Sequence, residues 1–172
     1  MSRRLSEVTT KTVLDHGMFA IEDVIGEGFG GWSEGWVSAG RHSIWVQSPY
    51  GNLGAILRLE EWDGEPDHEP HDARGPWHDV VAVSMEYIGE NETLSLNEIA
   101  AGGADTGFTL SSPGTYRVRV ACRNGREARQ AYLDILAKFD EADWNTAACR
   151  RATDQIDVEE EFLLQFWPAD AA

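Results

Sequence analysis

The stretch Thr115-Tyr-Arg-Val-Arg-Val-Ala-Cys122 decides the fold class of this chain. Every second residue from Tyr116 to Cys122 is apolar, and Arg117 and Arg119 stand between them. Successive side chains of a β-strand point to opposite faces of a sheet. The alternation therefore predicts a strand with one buried side and one solvent-facing side.

The same two-residue period extends outward from this strand through most of residues 18–116. The segments between the apolar runs are rich in Gly, Pro, Asn and Asp, which mark turns. Candidate strands cover residues 18–25, 42–47, 54–62, 80–88, 93–99, 107–110, 115–122 and 161–167. Short strands separated by turns are typical of sandwiches and barrels. We therefore predict an all-β fold, namely an antiparallel β-sandwich of about eight strands.

One segment between the last two strands departs from this period. Tyr132, Ile135, Leu136 and Phe139 are spaced at i, i+3, i+4 and i+7, which is the pattern of an amphipathic helix. We predict one inserted amphipathic helix near residues 126–139, within a helical insertion that covers residues 123–158. The composition also allows a shorter helical turn at residues 142–151.

Length and composition indicate one domain. The chain has 172 residues, of which 42% are hydrophobic and 26% are charged. These values are those of a single globular domain spanning residues 1–172, and we expect residues 1–14 to be a flexible N-terminal segment. Cys122 and Cys149 lack Cys-x-x-Cys or Cys/His spacing, so we expect reduced thiols rather than a metal site. The sequence leaves open whether the two cysteines meet.

The charge balance narrows the range of partners. Thirty acidic against fourteen basic residues give a formal net charge of -16. Such a charge repels phosphate backbones, which argues against direct nucleic-acid binding. No stretch reaches 18 consecutive apolar residues, and residues 1–11 lack the apolar run of a signal peptide. We therefore predict a cytoplasmic protein without a membrane segment.

The most irregular stretch, residues 60–77, contains seven acidic residues and three prolines. We predict an exposed loop here. Its histidines and carboxylates suit a divalent metal, but Pro70 opposes the helical spacing of the histidine pairs in hydrolytic zinc sites. We therefore predict no metal and no other cofactor. If a metal binds, the first candidate ligands are His68, His71 and Asp72.

The run Gly26-Glu-Gly-Phe-Gly-Gly31 matches the G-x-G-x-x-G spacing of dinucleotide-binding loops. Such a loop needs a following helix whose amides face the phosphates, but residues 32–36 are rich in tryptophan and glycine. We interpret the run as a flexible loop. No Gly-x-Ser-x-Gly or other recognisable nucleophile motif occurs, so the sequence offers no support for nucleophilic catalysis.

Seven tryptophans are many for this length, and four of them lie in or beside candidate loops: Trp32, Trp36, Trp62 and Trp77. Exposed tryptophans can form a sugar-binding platform or the centre of a protein interface. Buried tryptophans close the ends of a hydrophobic core instead, and we expect this role for at least half of them.

Three motifs occur in an order that resembles a known family. They are Trp32-Ser-Glu-Gly35, Phe108-Thr-Leu-Ser-Ser-Pro-Gly-Thr-Tyr116-Arg-Val and Phe162-Leu-Leu-Gln-Phe-Trp-Pro168. The pattern resembles the competence protein J-like family of small bacterial proteins, which inhibit a competence-associated DNA-entry nuclease. The resemblance covers residues 18–116 and the last strand, whereas residues 122–158 have no counterpart. It implies a β-sandwich that binds a partner protein and is not itself an enzyme.

We therefore predict a non-catalytic acidic binding protein, an inhibitor or immunity protein for a nuclease or toxin. Opposite charge would speed its encounter with a basic partner. The predicted contact residues are Glu60, Glu61, Trp62, Asp63, Glu65, Asp67 and Trp77. Two alternatives stay open: a small-ligand or carbohydrate-binding sandwich that uses loop tryptophans, and a metal-dependent enzyme centred on His68, His71 and His78.

Overall fold

The structure, a computed structural model, describes residues 2–32, 35–67, 71–72 and 75–170, with the backbone alone at residues 71–72. Strands predominate within these ranges, as the two-residue period predicts. In chain order they are β1 (Arg4–Val13), β2 (Met18–Glu22), β3 (Val37–Ala39), β4 (Ser43–Gln47), β5 (Gly54–Trp62), β6 (His71–Asp72), β7 (Gly75–Pro76), β8 (His78–Tyr87), β9 (Ser95–Asn97), β10 (Gly103–Asp105), β11 (Gly114–Arg123) and β12 (Glu160–Pro168). The helices are α1 (Gly125–Leu136) and α2 (Ala147–Thr153).

The strands form two five-stranded sheets and one short hairpin. The first sheet has the order β1-β5-β12-β11-β8, the second has the order β10-β9-β2-β4-β3, and β6 pairs with β7. Neighbouring strands of the first sheet are antiparallel except β5 and β12, which run parallel. The prediction of a β-rich fold is confirmed, but a purely antiparallel arrangement is wrong for this sheet. Side-chain alternation predicts the face that a residue occupies and does not predict the direction of the neighbouring strand.

β1 corrects the expectation of a flexible segment at residues 1–14, because residues 4–13 pair with β5. This strand is mostly polar, so its alternation carries no hydrophobic signal. Ion pairs bind it to β5: Arg4 Nη1 lies 3.0 Å from Glu60 Oε1, and Arg58 Nε lies 2.9 Å from Glu7 Oε1. Other strands have only two or three residues, too few for a readable period. The described ranges therefore contain twelve strands where about eight were predicted.

The main hydrophobic core contains side chains from both sheets. The second sheet contributes Phe19 and Ile44, and the first contributes Val118 and Phe162, all of them fully buried. The rings of Phe19 and Phe162 meet edge to face with their centroids 5.3 Å apart. The predicted buried side of β11 is confirmed, since its four alternating apolar residues all lie in this core: Tyr116, Val118, Val120 and Cys122.

The helical insertion follows β11 directly. Asn124 adopts the left-handed conformation, with φ of 60°, and α1 begins at the next residue, Gly125. Asparagine tolerates this conformation better than most residues. α1 confirms the helix predicted near residues 126–139, and α2 overlaps the shorter turn predicted at residues 142–151. Within the described part of the chain, no helix is long and apolar enough to cross a membrane.

Candidate partner-binding surface

The predicted contact stretch does not form one exposed loop. Glu60, Glu61 and Trp62 are the last residues of β5, and the two glutamates are only 4% and 3% exposed. The Glu60 carboxylate accepts hydrogen bonds from Trp62 Nε1 at 3.0 Å and from Gln165 Nε2 at 2.9 Å. A contact role for Glu60 and Glu61 is therefore wrong, because both carboxylates are buried and bound within the chain.

Glu61 binds the segment that precedes β11 through its carboxylate. Its carboxylate oxygens accept hydrogen bonds from Ser111 N at 2.7 Å and from Ser111 Oγ at 2.8 Å. Hydrogen bonds to a charged group contribute more to stability than those between neutral groups. The partner lies 50 positions away in the chain, so no local sequence signal identifies this role.

Asp63, Glu65 and Asp67 are exposed, as predicted, but each contacts another group of the same chain. Arg3 N donates to Asp63 Oδ1 at 2.6 Å, and a backbone amide near the N-terminus donates to Asp67 Oδ2. Glu65 Oε1 lies 3.3 Å from Arg119 Nη2. These carboxylates therefore help to hold the segment on the protein, and a partner would have to compete for them.

Trp77 is buried, which corrects its predicted contact role. Only 6% of Trp77 is exposed, and its ring centroid lies 4.1 Å from the guanidinium carbon of Arg123. Arg123 Nη2 in turn lies 2.7 Å from Glu161 Oε2, and both of these side chains are nearly fully buried. Trp77 therefore packs against β11 and β12, on the side of the sheet away from the main core, and holds the preceding segment there.

The candidate metal ligands fall largely outside the described residues. His68 lies outside them, and only the backbone of His71 and Asp72 is described, in the β6–β7 hairpin. His78 is exposed at the start of β8. Within the described ranges, no group of three or more His, Cys, Asp or Glu side chains is arranged to hold a metal ion.

His78 lines a cleft of about 360 Å³ where β8 and β11 meet α1. The cleft also contains Tyr50, Asp79 and Cys122. Burial raises the pKa of the Cys122 thiol to about 12, and the negative charge of Asp79, whose Oδ2 lies 3.9 Å from the sulfur, adds to this effect. A thiol with so high a pKa stays protonated at neutral pH and is a poor nucleophile. The two cysteines form no disulfide, since Cys122 and Cys149 are both free and buried.

A groove on the helical insertion combines an apolar lining with an acidic rim. It lies between α1 and the chain that follows α2, and its volume is about 720 Å³. Its lining consists of Ala131, Asp134, Ile135, Lys138, Phe139, Ala152, Gln155, Ile156, Asp157 and Val158. We call this surface the insertion groove. The stretch 131–159, which supplies its lining, carries seven acidic and three basic side chains.

Exposed apolar side chains lie on the same insertion. Leu133 is 42% exposed and Trp144 is 41% exposed. Trp144 Nε1 donates a hydrogen bond to Leu136 O at 3.3 Å, which holds the indole at the end of α1. The sequence predicts contact tryptophans in the loops and does not single out Trp144. The nearest sequence signal is the apolar stripe at residues 132–139, on which the structure leaves Ile135 and Phe139 half-buried.

Comparisons with known proteins assign no family to this chain. No protein-family model matches it, and no curated protein matches it. One solved structure, described as "Crocagin biosynthetic gene J", is similar over 98% of this chain and 99% of its own, with 10% sequence identity and a TM-score of 0.43. A likeness this distant assigns neither an activity nor a partner. The resemblance to the competence protein J-like family therefore stays a prediction.

Proposed function

We propose that this chain is a non-catalytic binding protein that binds a basic protein partner, such as a nuclease or a toxin, through the insertion groove. The observation that carries this proposal is a mostly apolar groove whose lining includes the exposed carboxylates of Asp134 and Asp157, which we call its rim. Specific interfaces combine a desolvated apolar centre with complementary charges at the rim. The exposed indole of Trp144 nearby is a side chain that commonly dominates binding energy.

The charge of the rim is available to a partner. Asp134 accepts a hydrogen bond of 2.7 Å from Gln130 Nε2, a neutral donor, so this bond does not neutralise the carboxylate. Asp134 and Asp157 are both exposed, and Lys138 is the one cation in the described lining of the groove. A segment with apolar residues between lysines or arginines fits this surface. The stretch 60–77 fits less well, because its exposed carboxylates already bind groups of the same chain.

Three finer expectations belong to the same proposal. We infer that the two sheets stack as a β-sandwich, which the core shared by Phe19 of one sheet and Phe162 of the other supports. A cytoplasmic location follows the expectation from the sequence. An inhibitory role follows the resemblance to the competence protein J-like family, whose members bind a nuclease.

The test compares two variants of equal charge in capture from native lysate. One reverses the rim of the groove, Asp134→Lys with Asp157→Lys, and the other reverses two exposed glutamates far from it in sequence, Glu90→Lys with Glu92→Lys. Both change the net charge by the same amount, so a general loss of electrostatic attraction affects them equally. Captured proteins are identified by mass spectrometry at low and at moderate salt.

We expect the wild-type chain to capture one basic protein, with recovery falling as salt rises. The rim variant should lose this partner by roughly tenfold, because rim charges govern the association rate, and the Glu90 and Glu92 variant should keep it. An equal loss of the partner in both variants would show that net charge, and not the groove, determines binding. Full retention by the rim variant would remove the insertion groove from the proposal.

A further inference from the structure

Glu22 is a buried carboxyl group on the outer side of the second sheet. It is the last residue of β2 and lies between Ser43 of β4 and Ser95 of β9 in the strand register. The preceding residue, Ile21, belongs to the hydrophobic core, so Glu22 points away from that core. Even so, only 1% of Glu22 is exposed.

One oxygen of this carboxyl group has no hydrogen-bond partner. Oε2 of Glu22 accepts a hydrogen bond from Asn97 Nδ2 at 3.3 Å, whereas Oε1 has no partner among the residues that the structure describes. Burial is the largest influence on the pKa of Glu22 and raises it, and the negative charge of Glu27 raises this pKa further. The hydrogen bonds from Asn97 and from the Gly26 amide lower the pKa, but by less. Buried polar groups are paired in nearly all native proteins, so the free oxygen points to a missing donor.

Glu22 lies in the wall of an open cavity with a volume of about 570 Å³. The other polar side chains of this wall are Asn91, Thr93, Ser95, Asn97 and Asp105. No lysine, arginine or histidine occurs in the described lining, so the two carboxyl groups meet no cation of the chain there. Ile25, which is 65% exposed, adds apolar surface at the edge.

The polar wall is held in place by the fold. Asn91 Nδ2 donates a hydrogen bond to Asp23 O at 2.8 Å, and Gly107 N donates one to Asp105 Oδ1 at 2.7 Å. A ligand would therefore meet these groups without having to order them, which lowers the entropic cost of binding. The unpaired oxygen of Glu22 is the acceptor that such a ligand would satisfy.

We propose that this cavity binds a small organic cation whose ammonium or guanidinium group donates hydrogen bonds to Oε1 of Glu22. An ionised carboxylate only accepts hydrogen bonds, and its bonds with charged donors are short and strong. Asp105 supplies a second negative charge at the wall. An organic cation fits better than a metal ion, because no metal-binding group of three or more acidic, His or Cys side chains occurs in the described ranges. This site is independent of the insertion groove.

The test uses the full chain and two defined probes, agmatine and phenethylamine. Isothermal titration calorimetry is run at about pH 8, which favours the ionised form of a carboxyl group whose pKa is raised by burial, and at about 150 mM salt, which screens general attraction to the acidic surface. The neutral diol 1,4-butanediol is the control ligand. Glu22→Gln is the site variant, and Glu141→Gln, at an exposed position on the insertion, is the matched charge control.

We expect saturable one-to-one binding of at least one amine and none of the diol. Glu22→Gln should weaken this binding by roughly tenfold or more, since a charge-assisted hydrogen bond is lost, and Glu141→Gln should leave it unchanged. Absence of saturable binding by both amines, or equal binding by Glu22→Gln, overturns the proposal.

Thermal unfolding separates a ligand-binding role of Glu22 from a structural one. The amide oxygen of glutamine can still accept the hydrogen bond from Asn97, so Glu22→Gln should unfold at the same temperature as Glu141→Gln or higher. A clearly lower unfolding temperature for Glu22→Gln would show that the carboxylate serves the fold, and this result would also overturn the proposal.

Discussion

Replacing Arg123 by methionine should lower the free energy of unfolding by about 3–5 kcal/mol. The Arg123 side chain donates to Glu161 Oε2 from Nε at 3.1 Å and from Nη2 at 2.7 Å, and it packs against the ring of Trp77. Methionine fills much of the same space but leaves the Glu161 carboxylate buried without these donors. The cost of removing the charged partner of a buried carboxylate sets the expected magnitude.

Urea unfolding followed by circular dichroism measures this loss, with Arg117→Met as the control at an exposed position of the same strand. The control should change stability by less than about 0.5 kcal/mol. The double variant Arg123→Met with Glu161→Leu should recover most of the loss, because an apolar pair can replace a buried ion pair. A loss below about 1 kcal/mol in Arg123→Met, or a double variant less stable than the single one, would refute the reasoning.

Three further predictions concern stability and reactivity. Glu61→Ala should cost about 1–3 kcal/mol in urea unfolding because both Ser111 donors lose their acceptor, and a neutral result would contradict the buried role. The thiol of Cys122, with its pKa raised to about 12, should resist a thiol reagent at about pH 8 in the folded protein and react in urea. Rapid labelling of the folded chain at Cys122 would be inconsistent with this burial. Gly125→Ala should destabilise the chain by about 1–3 kcal/mol, because an added Cβ would lie 2.2 Å from the Tyr50 ring, and an unchanged melting temperature would contradict this close packing.

Local periodicity explains what the sequence predicts well. The alternation around Tyr116 identifies the buried side of β11, and the spacing of Tyr132 and Ile135 identifies α1. Both signals depend only on neighbours in the chain. The same periodicity does not predict β1, because most of its residues are polar and its pairing with β5 comes from backbone hydrogen bonds and ion pairs.

The site predictions fail where long-range partners decide burial. Glu60 and Glu61 look like the start of an acidic loop, but they end a strand, and Glu61 binds a serine 50 positions away. Trp77 looks like an exposed aromatic residue of a loop, but its ring is buried against Arg123, which is paired with Glu161. Such pairings join residues that are distant in the sequence, so charge and composition alone do not predict them.

Hydrogen exchange of the chain, free and bound to the captured partner, tests the central claim most directly. The insertion groove should gain amide protection at α1 and residues 152–158, with little change at residues 60–67. Protection confined to residues 60–67, or unchanged exchange throughout the insertion, would contradict binding through the groove.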